Sequence, residues 1–189
     1  MAKVWLITGS GNGLGRDIAE AALAAGDSVV AGARRTEELA PLVAQYGERV
    51  KPVTLEVREE AAAKAAVRLA VDAFGRLDVL VNNAGYGKFA PFEQISAEDF
   101  QAVVDTCFYG VVYTTRAAVP VMRKQKSGHI FQVSSVGGRI AVAGNAVSRG
   151  QVGGGRFQRL SGAGSRAVRR QGLHTGAGRY SDELATAGR

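Results

Sequence analysis

Between residues 8 and 15 the chain reads Thr8-Gly9-Ser10-Gly11-Asn12-Gly13-Leu14-Gly15, with glycine at every second position from 9 to 15. Side chains would hold an anion away from the backbone, whereas glycines let a pyrophosphate reach the N–H groups directly. Where such a turn opens a helix, the helix's unpaired donors and its dipole favour the negative charge further. The chemistry indicated is therefore nucleotide binding. A glycine-rich turn alone is often mere punctuation, so its context has to decide. Here an apolar run, Lys3–Thr8, precedes it and a helical pattern, Leu14–Ala25, follows it. That context makes Thr8, Gly9, Ser10, Gly13, Leu14 and Gly15 candidates for the cradle.

The elements that must position this turn are legible from periodicity. Lys3–Thr8, Ser28–Gly32, Val50–Leu55, Leu77–Asn82 and His129–Ser134 read as strands, mostly apolar and with little alternation. Such strands suit a parallel sheet covered on both faces. Helical patterns lie between them at Leu14–Ala25, Glu37–Tyr46, Glu59–Phe74 and Ala97–Lys124, and Gly26, Gly47 and Gly75 stand where C-terminal caps fall. Repeated strand–helix–strand order implies right-handed crossovers and a doubly wound parallel α/β sheet, the Rossmann fold. The pattern stops after Ala146. Residues 1–146 are expected to form the nucleotide-binding domain, truncated after the fifth strand, and 147–189 an irregular Gly/Arg-rich tail.

Composition narrows the function classes. A chain of 189 residues, 46% hydrophobic, supports one domain with a core, and no apolar run is long enough to span a bilayer. Val4-Trp5-Leu6-Ile7 near the start is too short for a signal-peptide core. Cys107 is the sole cysteine, which excludes an internal disulfide or a cysteine zinc site. A cytoplasmic location is expected. The net charge of +7 invites a nucleic-acid reading, but eight arginines against Asp182 and Glu183 place +6 of it after residue 146. That segment has no lysine, no regular basic stripe and only Phe157 and Tyr180 as aromatics, which argues against nucleic-acid binding. His129 and His174 have no metal-ligating neighbours, and no metal site is expected.

Two further segments complete a resemblance. Asn82-Asn83-Ala84-Gly85 ends the fourth strand, and Gly128-His129-Ile130-Phe131-Gln132-Val133-Ser134-Ser135 spans the fifth. With the T-G-x-x-x-G-x-G turn they make residues 3 to about 146 resemble the short-chain dehydrogenases/reductases. The resemblance implies an oxidoreductase that moves hydride between NAD(P)(H) and a carbonyl or alcohol. It also implies that Asn82, Asn83, Ala84 and Gly85 line the cofactor cleft and stabilise the sheet. After the second strand, where an acid would bind the ribose hydroxyl of NAD, stand Arg34 and Arg35. A guanidinium there suits a 2′-phosphate, so NADP(H) is favoured over NAD(H). The alternative is a pair of solvated arginines at a helix start. Glu56, after the third strand, takes the place of the family's acidic residue near the adenine, or is a surface carboxylate.

The resemblance also says what catalysis requires. A tyrosine serves as general acid/base, a lysine four residues later lowers its pKa, a serine orients the substrate oxygen, and an asparagine completes a proton relay. The lysine matters because a phenol titrating near 10 is poorly matched to neutral pH. Ser135 fits the serine, with Ser134 facing away because strand neighbours point oppositely. Cys107 stands at the usual asparagine position and reads as a buried small residue. The tyrosine is due near position 148, yet that position is Ser148 and the residue four later is Val152; no Tyr-x-x-x-Lys occurs in the chain.

The genetic code offers a reason. Reading one nucleotide later from Val147, the codons for residues 147–151 permit Tyr-His-Ala-Ala-Lys, and those for 167–180 permit Pro-Phe-Gly-Val-Lys-Val-Cys-Thr-Leu-Glu-Pro-Gly-Gly-Ile. The second string resembles the family's sixth strand and its cofactor loop. Residues from about 147 onward therefore read as a frame-shifted stretch of an ordinary reductase gene, the alternative being a natural Gly/Arg-rich tail. The chain as written is expected to be inactive. The competing class is a catalytically dead nucleotide-binding protein or pseudogene product. The family usually forms homo-oligomers through helices that include one missing here. The loop Tyr86–Ile95 suggests an apolar substrate wall carrying Phe89 and Phe92, or core side chains; the substrate itself is not readable.

Overall fold

The computed structural model describes residues 2–88 and 90–135. Phe89 and the readings placed on 136–189 (the alternate frame, the Gly/Arg-rich tail, Ser148, Val152 and His174) lie outside them. Five strands, β1 (Val4–Thr8), β2 (Ser28–Ala33), β3 (Val50–Thr54), β4 (Val79–Asn82) and β5 (His129–Gln132), form one sheet in the order β3-β2-β1-β4-β5. Every pairing is parallel, with Leu6 opposite Val30 on one side and Leu80 on the other. The chain runs outward from β1 to β3, then returns to lay β4 beside β1. That reversal leaves a crevice at the carboxyl ends of β1 and β4, where open α/β sheets bind ligands.

Alternation along the strands builds two apolar layers. Leu6, Val30 and Leu80 point to one face and meet Ala66, Val67 and Ala70 of α3 (Glu60–Phe74) and Ala118 and Met122 of α5 (Gly110–Gln125). Ile7, Val29, Ala31, Val79 and Val81 point to the other and meet Ala19, Ala22 and Leu23 of α1 (Gly13–Ala24) and Leu42 of α2 (Ala40–Tyr46). Burial on both faces is why these strands carry almost no polar alternation. Gly26, Gly47 and Gly75 all have positive φ just past α1, α2 and α3, and at Gly75 a left-handed cap donates to Val71 O.

Several boundaries differ from expectation. The helix expected at 37–46 begins as a 3₁₀ turn, Thr36–Leu39, and becomes α2 only at Ala40. The strand expected from Leu77 begins at Val79, and the one expected to reach Ser134 ends at Gln132. The long helix expected from 97 to 124 is two helices, α4 (Ala97–Val104) and α5, joined by a single π turn, Asp105–Tyr109. Such wide turns insert a residue into the helical ladder and re-aim side chains beside functional sites. Here Gly110 follows at once and brings α5 close to the chain after β3: a Cβ there would lie 2.8 Å from Val57 Cγ2.

Candidate functional site

The end of β1 and the end of β4 are locked together through one hydroxyl. Thr8, 1% exposed, accepts at Oγ1 from the backbone N–H of Asn83 at 3.0 Å and of Ala84 at 2.9 Å, and donates to Val81 O at 3.4 Å. The Asn83 carboxamide completes the lock by donating to Thr8 O at 3.0 Å and Gly9 O at 3.2 Å. Ser10 is buried and turned inward, its Oγ donating to Ile7 O at 2.8 Å while its N–H reaches Gly32 O at 2.8 Å. Thus Thr8 and Ser10 shape the turn from behind. Gly15 does so by its lack of a side chain, since a Cβ would collide with Gly9 O and the Asn83 amide. Gly9, at φ +70°, sits less tightly, a Cβ there lying 3.1 Å from Ala84 Cα.

The exposed side of the turn is different. Gly13 has φ +53° and open space where a Cβ would stand, and it begins α1. No side chain caps that helix among the described residues: Asn12 is extended at the N-cap without a capping hydrogen bond, and no acid occupies the first turn. The first N–H groups of α1 therefore meet the crevice as unpaired donors, which suits an anion. The crevice is a cleft of about 410 Å³, within the range of small-molecule sites. Gly9, Gly13 and Leu14 border it along with Gly11 and Asn12; Ala33, Arg34 and Arg35 follow from β2, and Asn83, Ala84 and Gly85 from β4.

Asn82 lies elsewhere. It is 4% exposed, its Oδ1 accepting from Thr114 Oγ1 at 2.6 Å and its Nδ2 donating to Thr115 Oγ1 at 3.2 Å, so it ties β4 to α5 beneath the cleft. The expected wall is made by its three successors. Arg34 and Arg35 are both exposed at the rim. Glu56 lies on the same wall with Arg58, which binds it at 3.0 Å. That hydrogen bond is the chief reason the Glu56 carboxyl titrates below its ordinary range, with lesser help from the Arg34 charge. Sequence reasoning placed no acid beside the two arginines, yet Glu38 lies in the cleft and holds Arg35. The signal was local: Arg35 and Glu38 are three residues apart at a helix start, the spacing at which side chains meet. Arg58, Tyr86 and Thr106 also line the cleft and were missed because only the tertiary fold delivers them.

Cys107 is half-buried rather than buried. The π turn swings its thiol toward Gly85, whose added Cβ would lie 3.4 Å from Sγ, and Sγ donates to Tyr86 O at 3.4 Å. Burial pushes the thiol's pKa up, away from nucleophilic thiolate character. Ser135 and Ser134 are both exposed just beyond β5. Among the described residues no group of three His, Cys, Asp or Glu could hold a metal, and no helix is long and apolar enough to cross a membrane.

Comparisons with known proteins agree with this geometry. The family model for short chain dehydrogenase matches residues 3–147. The chain is 53% identical over 145 residues to an oxidoreductase, BOA17, of Botryotinia fuckeliana, covering 76% of this chain and 53% of that protein. It is 36% identical over 143 residues to the NADP-dependent 3-hydroxy acid dehydrogenase YdfG of Salmonella typhimurium, covering 75% and 58%. The chain thus spans a little over half the length of the curated relatives it matches. Among solved structures, a short-chain dehydrogenase from Streptomyces avermitilis superposes with a TM-score of 0.85 at 37% identity, over 89% of this chain and 63% of that one. A metagenomic short-chain oxidoreductase in complex with NADP gives 0.82 at 29% identity, over 88% and 79%. Motifs, sheet order and these matches together place the chain in the short chain dehydrogenase family.

Proposed function

We propose that this chain is the dinucleotide-holding part of an oxidoreductase that transfers hydride between NADP(H) and a carbonyl/alcohol substrate. The observation that carries the reading is the uncapped start of α1 opening onto a cleft whose far rim bears Arg34 and Arg35. The residues present fit the cofactor. Gly13 leaves open space at the helix start, the α1 donors suit a pyrophosphate, and the two guanidiniums suit a 2′-phosphate. Asn83, Ala84 and Gly85 form the wall against it, and Glu56 stands on the adenine side. Bound there, the nicotinamide supplies the hydride. The NADP-dependent relative and the NADP-bound structural neighbour support the choice of NADP(H).

Ser135 orients the substrate oxygen in this reading, and Cys107 stands where the relay asparagine would be. A half-buried thiol is a poor donor and acceptor and cannot replace a carboxamide. The sequence carries no Tyr-x-x-x-Lys, so it lacks the acid/base pair that the resemblance calls for at the substrate oxygen. Loss of a general acid typically costs about 10²–10⁴ in rate. We therefore infer that the chain as written binds the dinucleotide without appreciable turnover. We also propose that residues from about 147 onward are a frame-shifted reading of a gene that encodes the missing pair. Calorimetric titration with NADP⁺ and NADPH should show binding, with no NADPH oxidation against a panel of aldehydes and ketones. Absence of binding would sink the cofactor reading, and robust turnover would sink the inactivity. Resequencing across codons 140–155 tests the cause: two restored bases yield the Tyr-x-x-x-Lys of an active reductase.

A further inference from the structure

Glu38 occupies the cleft in a way that neither the fold nor the phosphate cradle requires. Arg35 donates to Glu38 Oε1 from Nε at 2.7 Å and from Nη2 as well. The other carboxylate oxygen, Oε2, lies so close to Gly11 that a Cβ there would overlap it. One side chain therefore reaches from the arginine rim to the glycine turn. Its backbone is anchored separately: Arg16 Nη1 donates to Glu38 O at 2.9 Å, and the adjacent Leu39 is fully buried. The carboxylate can swing without unseating its own turn. Arg34 stands toward Glu56, which Arg58 already holds. The wall thus carries three arginines and two carboxylates, and Arg35, the guanidinium next to the glycine turn, is taken by an internal anion.

We propose that Glu38 is a specificity-determining residue, an internal competitor for Arg35 that limits how strongly the site prefers 2′-phosphorylated over unphosphorylated dinucleotide. This rests on the NADP(H) reading above. A guanidinium binds carboxylate and phosphate through the same fork of donors, so a 2′-phosphate must compete with Glu38 for the Nε/Nη2 edge of Arg35. NAD(H) has no phosphate to place there and meets no such competition. Specificity is a difference of affinities, and the competitor subtracts only from the phosphorylated ligand.

The test is calorimetry on the full chain with NADP⁺ and with NAD⁺ at fixed ionic strength, read as the ratio Kd(NAD⁺)/Kd(NADP⁺). Glu38→Gln keeps the shape and the backbone bond but removes the charge, and should raise the ratio about two- to fivefold, the scale of an ion pair whose arginine is largely exposed. Glu38→Ala should move it the same way. Arg35→Gln should lower the ratio by a similar factor, and the double variant should match Arg35→Gln, because no contested arginine remains. A normal Arg35→Gln effect with a ratio unmoved in both Glu38 variants overturns the competition alone. A ratio lowered by Glu38→Gln overturns it too, since Glu38 would then be holding something that both ligands share. If Arg35→Gln and Arg34→Gln both leave the ratio unchanged, the NADP(H) reading itself falls.

Discussion

Replacing Thr8 by valine isolates the bond that joins the glycine turn to the cleft wall. Valine keeps the shape and the β-branching, so no cavity opens, and only the hydroxyl is lost. That hydroxyl is the acceptor for Asn83 N–H at 3.0 Å and Ala84 N–H at 2.9 Å. Leaving a buried donor without a partner costs about 1–3 kcal/mol. Asn83 and Ala84 are only part-buried, so water offsets some of the loss, and the lower half of the range applies to each. The sum is about 2–4 kcal/mol, a large share of the roughly 5–15 kcal/mol that holds a domain together. Urea unfolding should show a midpoint lower by about 1 M at an unchanged slope. Dinucleotide affinity should also fall, because the Asn83 and Ala84 N–H groups lose their tie to β1. Thr8→Ser keeps the hydroxyl and should lose no more than about 1 kcal/mol, from the methyl alone. A Thr8→Val protein within about 0.5 kcal/mol of the parent would refute the reasoning. So would a Thr8→Ser protein as unstable as Thr8→Val, since the methyl would then be what matters.

Gly15→Ala should cost about 1–3 kcal/mol, because the new Cβ meets backbone at Gly9 and the Asn83 amide rather than a flexible side chain; Gly26→Ala, which meets nothing within 4 Å, strains only the backbone at its positive φ, and thermal melts should rank the first below the second. The Glu56 carboxyl, lowered by its Arg58 hydrogen bond, favours its charged form in the fold. Its contribution is present above the ordinary glutamate value of about 4.3 and is lost as pH falls through the depressed folded value. Carboxyl NMR titration should show Arg58→Ala moving that midpoint upward, and an unmoved midpoint would deny the pairing. Cys107, its thiol pKa raised by burial, should react with iodoacetamide far more slowly than free cysteine at neutral pH; a rate equal to the free thiol would contradict the half-buried position.

The strands and their doubly wound parallel sheet were largely legible because a buried parallel sheet leaves a strong signature: short β-branched runs between amphipathic stretches, with glycines at the breaks. The turn at 8–15 was recognised from its spacing, and the structure separates its members. Gly13 and Leu14 face the crevice, whereas Thr8, Ser10 and Gly15 work behind it. Spacing cannot make that distinction, since the direction of each side chain follows from which neighbour it meets across the sheet. Asn82 illustrates the point: it adjoins the wall in sequence, yet hydrogen bonds to Thr114 and Thr115 hold its side chain against α5.

Local chemistry, by contrast, needed no structure. The absence of Tyr-x-x-x-Lys, the confinement of the positive charge to the last residues, and the two arginines after β2 are statements about residue order, and order alone determined them. The tertiary structure decided what those residues face. It carried the local Arg35–Glu38 pair to Gly11, set it in one cleft with the local Glu56–Arg58 pair, and opened a π turn that carries Cys107 to Gly85 and Tyr86. Periodicity records how much of a segment is buried, because burial is repaid by apolar area. It does not record which distant segment a rim pair faces, because exposed ion pairs are worth too little to impose a long-range pattern on the sequence.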